Sequence, residues 1–266
     1  MADPILLWNE VSLEANRVSH TNGQGEQTGP PLSARALAII HLAMYDAFAH
    51  FTNDPALPPY IMNPPALPLG FSLDEAVAGA AYHSLSTLFP SQRAYFKVIL
   101  DAAGNDGSDS HHFGVAVAQA ILDDRADDPG VGSTTYKPSS KRGKHRPDPD
   151  NLPQPIHAPD YGRLSKGFGI TQRFELAAPP FNDGDDKEYL KALREVRGKG
   201  IKPELMGTLP NGITSRNVDE TLLGLYWAYD GALQLGTPPR LYNQIVREGA
   251  IKNLNPVTGA PNAPAD

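Results

Sequence analysis

Residues 36–45 read Ala-Leu-Ala-Ile-Ile-His-Leu-Ala-Met-Tyr. Wound as a helix, this run is apolar on nearly every face, and such a helix belongs at the centre of a structure. A chain built around it needs companion helices to enclose it, and 266 residues are enough to supply them. Proline placement says where those companions lie. The chain holds 24 glycines and 26 prolines, well above the average share of about 12 % for the two together. The periodic blocks are nearly free of proline and the segments between them are crowded with it. The pattern predicts rigid helices joined by long, ordered, proline-stiffened loops.

Asp3 is a good N-cap with Pro4 at the first helical position, where its missing N–H is not needed. The first helix is expected over 4–19, with Leu6, Leu7, Val11, Ala15 and Val18 on one stripe. Ser33 is read as the cap of the central helix, which runs to about Phe51. Ser72 and Glu75 have the spacing of a capping box and open a third helix that ends near Leu88. A fourth follows from Pro90 to about Ala103, and a fifth over about 108–125. Residues 127–184 carry no sustained periodicity and read as an extended proline-rich arm, with a short strand near 172–176. Helices resume over about 185–197, 218–235 and 239–253. The expected class is all-α, about eight helices in a bundle with long Pro/Gly-rich loops, forming a single helical region over 1–266.

Several classes of function are excluded or disfavoured. There is no cysteine, so disulfides, thiolate metal sites and cysteine nucleophiles are out. A net charge of −7 argues against nucleic acid as a partner. No apolar run reaches the roughly 18 residues of a membrane span, and Met-Ala-Asp-Pro at the N-terminus lacks the basic region of a signal peptide, so a soluble chain is expected.

The candidate constellations are thin. His111 and His112 are adjacent, point about 100° apart on a helix and cannot easily chelate one ion; an exposed helix start is expected there. His41 and Tyr45 share one face of the central helix while Asp46 falls off it, so a core histidine with its N–H satisfied is expected in place of a catalytic pair. Arg35 is read as the cation of a structural ion pair with Glu14 or Asp46. The stretches 105–109 and 182–186 invite a calcium reading, but aligning Gly107 or Gly184 with the sixth position of an EF-hand loop leaves Ala102 or Pro179 at the first. The basic cluster Lys137, Lys141, Arg142, Lys144, His145 and Arg146 is read as a solvated or intersubunit surface paired with Asp148 and Asp150. No phosphate loop, nucleophile elbow or metalloprotease helix occurs. No residue is assigned a catalytic, cofactor-binding or metal-ligating role.

Several collinear segments carry a family resemblance. They are Trp8-Asn-Glu-Val-Ser-Leu-Glu-Ala-Asn-Arg-Val-Ser-His-Thr, Gly29-Pro-Pro-Leu-Ser-Ala-Arg through the central run, Gly143-Lys-His-Arg-Pro-Asp-Pro-Asp-Asn, Tyr161-Gly with Phe174-Glu-Leu, and Trp227-Ala-Tyr-Asp-Gly through Val246. In order and spacing they resemble the vanadium-dependent haloperoxidases, bromoperoxidase-like helical proteins related to the type 2 phosphatidic acid phosphatases. The resemblance implies a vanadate bound by Lys, two Arg, a Ser-Gly-His segment and a further His, with halide oxidised by hydrogen peroxide. It places the Lys-x6-Arg pair of that site past Asp266, and Ser-Gly-His occurs nowhere in the sequence. The expectation is therefore an N-terminal half whose partner, a C-terminal half, holds the vanadate. An oligomer is expected, with Ile39, Ile40, Leu222, Leu225, Leu241 and Ile245 needing partner surface. The alternatives are a non-catalytic interaction protein on the same scaffold and half of a related acid phosphatase.

Overall fold

Asp3 caps the first helix as its chemistry suggests: Oδ1 accepts the amide of Leu6 at 3.0 Å, Pro4 opens the helix, and α1 spans Pro4–Ser19. The computed structural model describes residues 3–61, 65–104, 107–129, 137–141, 144–150, 152–154, 164–170, 172, 187–229 and 233–253. The helices after α1 are α2 (Pro30–Thr52), α3 (Leu73–Leu88), α4 (Arg93–Ala103), α5 (Asp109–Asp124), α6 (Lys187–Lys199), α7 (Val218–Trp227) and α8 (Pro238–Lys252). Short 3-10 turns span Pro90–Gln92 and Pro203–Thr208. No strand is present among the described residues, and the fold is all-α. Most of the expected arm, including 173–176, and the stretch 182–186 lie outside the described residues.

The chain divides into two compact units, Met1–Asp128 with Tyr229–Asp266, and Pro129–Ala228. In the first, α2 lies between α1, α3 and α5, and α3 packs most extensively on α5. Ile39, Ile40, Ala43 and Met44 of α2 are buried, with Val77 and Leu85 of α3 and Val117 and Ile121 of α5. Ile39 and Ile40 therefore need no partner surface. They face the interior that the chain itself encloses. The α3–α5 crossing is close because both helices carry glycine where they meet. A Cβ on Gly114 would fall 1.9 Å from the carbonyl oxygen of Ala76, and one on Gly79 would fall 2.3 Å from that of His111. His111 is consequently buried under α3 while His112 is exposed, which corrects the expectation of an exposed pair.

The central helix starts one turn before Ser33. Gly29 adopts a positive φ of 80° and Pro30 and Pro31 fill the first positions, where no N–H is required. Ser33 is buried inside the helix, donating to Gln27 O at 3.0 Å and accepting from Asn16 Nδ2 at 2.8 Å. At 23 residues, α2 is long and apolar enough to cross a membrane by length and composition alone, which the sequence reading missed. Here it is the core helix, packed against α1, α3, α5 and α8 and open to a groove at Ala34, Ala38 and His41.

Only half of the expected capping box forms on α3. Ser72 Oγ accepts from Glu75 N at 3.5 Å, while the Glu75 carboxylate turns to Ser108 Oγ at 2.5 Å and so ties the start of α3 to the cap of α5. The helix expected over 218–235 stops at Trp227, and Gln234 takes a positive φ of 66° in the turn before α8.

In the second unit, Lys199 Nζ meets Glu220 Oε1 at 2.6 Å, and Arg216 donates to the carbonyls of Lys199 and Ile201. Glu220 and Asn217 form a complete capping box at the start of α7. Asp150 pairs with Lys202 at 2.8 Å, not with the basic cluster, and Arg146 donates to Ser140 O at 2.6 Å. Arg142 and Gly143 lie outside the described residues.

Candidate functional site

Two concave surfaces among the described residues of the first unit lie beside α8, which packs against α1 and α2. His41, on α2, is the pivot. Its Nδ1 stands 2.7 Å from Leu37 O, an acceptor only, so Nδ1 carries the proton and Nε2 must accept. Asn9 Nδ2 supplies that donor at 2.7 Å and gives its other hydrogen to Asn243 Oδ1 at 2.5 Å. The relay joins α1, α2 and α8. Burial lowers the pKa of His41, opposed by the Leu37 carbonyl. Both ring nitrogens of His41 are thus satisfied, as the sequence suggested, although the residue sits half-buried at the edge of the core.

Asp46 does not meet His41. Its oxygens accept the amides of Tyr60 at 2.7 Å and Ile61 at 2.8 Å, and burial raises its pKa against those bonds. Together with the hydroxyl of Tyr45, which donates to Pro58 O at 2.9 Å, it pins the loop after α2. Arg35 pairs with neither Glu14 nor Asp46. Its Nε lies 2.6 Å from Asp128 Oδ2, and it also donates to Arg125 O at 2.7 Å. Glu14 instead takes both its bonds from Arg17, one helical turn away, and their hydrogen bond lowers its pKa.

Two grooves flank α8. One, of about 370 Å³, is lined by Ala34, Leu37, Ala38, His41, Pro239, Tyr242, Asn243 and Val246 and is almost wholly apolar. The other, of about 340 Å³, is polar, with Glu10, Glu14, Tyr95, Arg240, Gln244 and Arg247. There Arg247 binds Glu10 at 2.6 Å and Arg240 donates to Leu13 O at 3.0 Å. Burial lowers the pKa of Arg240, and burial followed by the charges of Glu14 and Glu10 raises that of Tyr95. The sequence reading missed Asn9, Arg240, Asn243 and Arg247. The three on α8 recur every three or four residues along one side of the helix, and that spacing was the available signal.

None of this fits an oxyanion cradle for vanadate. Such a site needs convergent cations and amides with free valence, yet Arg35 and Arg125 clamp Asp128, Arg17 holds Glu14 and Arg247 holds Glu10. Lys187 and Arg194 have the Lys-x6-Arg spacing but are exposed on α6; Lys166 and Arg173 share it, with Arg173 outside the described residues. No cluster of three or more His, Asp or Glu suited to a metal ion occurs among the described residues.

What the chain does present is uncovered apolar surface. Along α7, Val218, Leu222, Leu223, Leu225, Tyr226 and Trp227 are 49–74 % exposed, so the apolar second half of this helix lies in contact with water. Ile245 on α8 is likewise exposed and Leu241 is half-buried.

A family profile described as the vanadium chloroperoxidase N-terminal domain matches residues 2–160. Vanadium chloroperoxidase of Curvularia inaequalis is 34 % identical over a 299-residue alignment that covers 93 % of this chain and 48 % of the relative. The chain thus spans about half the length of the curated relative it matches.

Proposed function

The chain belongs to the vanadium chloroperoxidase family, and on that premise we propose that it is the N-terminal helical part of a vanadium-dependent haloperoxidase, with residues 1–266 acting as one helical region. Halide and hydrogen peroxide are substrates of the whole assembly. The vanadate, which activates the peroxide when bound, is held by a C-terminal part. This chain contributes scaffold: it packs α1, α3 and α5 against the central helix, fixes α8 through the Asn9–His41–Asn243 relay, and offers apolar faces to the remainder of the fold.

The observation that carries this reading is the family match over 2–160, in a chain whose buried Arg125 and partly buried Arg35 and Arg247 are already committed to internal carboxylates. The matched profile and relative are both chloroperoxidase, which favours the haloperoxidase over the phosphatase or purely structural alternatives. The test is peroxide- and halide-dependent halogenation of a dye by the chain, by the C-terminal part, and by the two together, each with vanadate. Activity confined to the combination supports the proposal.

A further inference from the structure

The central helix is open on one side. Against α1, α3 and α5, the residues Ile39, Ile40, Ala43, Met44 and Ala47 of α2 are fully buried. On the remaining side Ala34, Ala38 and His41 form one wall of the apolar groove, and Tyr242 and Val246 of α8 form the other. Its polar floor is neutral: His41 Nε2 and Asn243 Oδ1 both bond to Asn9 Nδ2, and the one buried atom of that relay left without a partner is the amide oxygen of Asn9. Nothing in it calls for a charged ligand. The apolar surface also runs on past the groove. Tyr242, Ile245 and Val246 are 58, 58 and 72 % exposed and follow one another at i, i+3 and i+4. A small molecule filling about 370 Å³ would leave that stripe in water, whereas a helix laid along the trough would cover both. Residues three and four apart on each wall give the ridges and grooves into which a third helix packs.

We propose that the trough between α2 and α8 is the seat of an apolar-faced helix of the C-terminal haloperoxidase part, which closes the fourth side of α2. The inference rests on the functional reading above. The occupant follows from three observations. The Curvularia relative carries about as much chain again as this one matches. No charged residue lines the trough, and Arg240 and Arg247 of α8 lie on its other stripe, engaged with Leu13 O and Glu10. A second copy paired about a twofold axis would set one concave trough against another.

The test uses two variants whose side chains the fold does not need, Ala38→Arg in the trough and Val246→Asp on its rim, with Val98→Asp on exposed α4 as control. Each is mixed with the purified C-terminal part, and association is measured by sedimentation. Hydrogen exchange of the wild-type complex is read over 34–41 and 239–246, which keeps the question answerable if a variant folds poorly. Wild type and the control are expected to associate, both trough variants to weaken association by more than about tenfold, and the two segments to gain protection on binding. Equal association of wild type and trough variants, with no protection there, overturns the seat and leaves the functional reading standing. If wild type and the C-terminal part neither associate nor halogenate together, the functional reading fails and takes the seat with it. Self-association of the chain that Ala38→Arg abolishes makes a second copy the occupant and overturns the proposal.

Discussion

Asn9 Nδ2 lies 2.7 Å from His41 Nε2, and this contact fixes the form of His41 that the fold accepts. Because Nδ1 already donates to Leu37 O, a second proton on Nε2 would face an N–H donor. Burial lowers the folded-state pKa of His41 below the ordinary 6.5, and burial also lowers that of His50, opposed there by Asp46 and the Ile61 carbonyl. The unfolded chain therefore takes up these protons first. The stability is fully present above the ordinary imidazole value and is lost as pH falls from there through the lower folded values. Thermal melts should be flat from about pH 8 to 7 and decline below about 6.5. His41→Gln should lower stability by about 1–3 kcal/mol at neutral pH and make the decline shallower. An unchanged pH profile in that variant contradicts the assignment.

The α3–α5 crossing predicts a sharp contrast between glycines. On Gly114 a Cβ would meet the backbone of Ala76 at 1.9 Å and of Ala80 at 2.8 Å, and neither can yield without separating the helices. Gly114→Ala should destabilise by about 3 kcal/mol, the upper end for overpacking. Gly249, on α8, has open space around its Cβ position. Gly249→Ala should gain up to about 1 kcal/mol through helix propensity. Urea titration of the two variants reads both signs.

Asp128 holds two guanidinium groups, Arg35 at 2.6 Å and the buried Arg125 at 2.9 Å. Removing it leaves two like charges facing each other with little water nearby. Asp128→Ala should lose about 3–5 kcal/mol, whereas Arg17→Ala, which breaks a partly exposed pair with Glu14, should lose under about 1 kcal/mol. Equal losses would contradict the buried clamp.

The exposed apolar face of α7 predicts how the isolated chain behaves. With Leu222 and Leu225 59 and 67 % exposed, it should bind a hydrophobic dye or self-associate. Leu222→Glu with Leu225→Lys should reduce dye fluorescence severalfold without lowering the melting temperature. Dye binding unaffected by the pair would place the sticky surface elsewhere.

Much of the helix plan was legible because local chemistry decides it. Asp3 with Pro4, Ser72, Ser108 and Asn217 mark helix starts through bonds within four residues. What was not legible depends on distant chain. Arg35 finds Asp128 93 positions away, and Asn9 finds Asn243 234 positions away. No spacing rule reaches that far. Ile39 and Ile40 were expected to need a partner because the central run is apolar all round; the periodicity could not say which of its faces this chain covers. The open face is instead the one carrying Ala34, Ala38 and His41. No vanadate cradle was found by either route among the described residues: Arg17, Arg35, Arg125 and Arg247 are each held by a carboxylate of the chain itself.

The most direct measurement of the central claim is vanadate binding and halogenation by the chain with and without the C-terminal part. The account predicts that the chain alone neither binds vanadate nor supports peroxide-dependent oxidation of halide, and that both appear when the C-terminal part is added. Vanadate-dependent halogenation by the chain alone, or none from the combination, would contradict it.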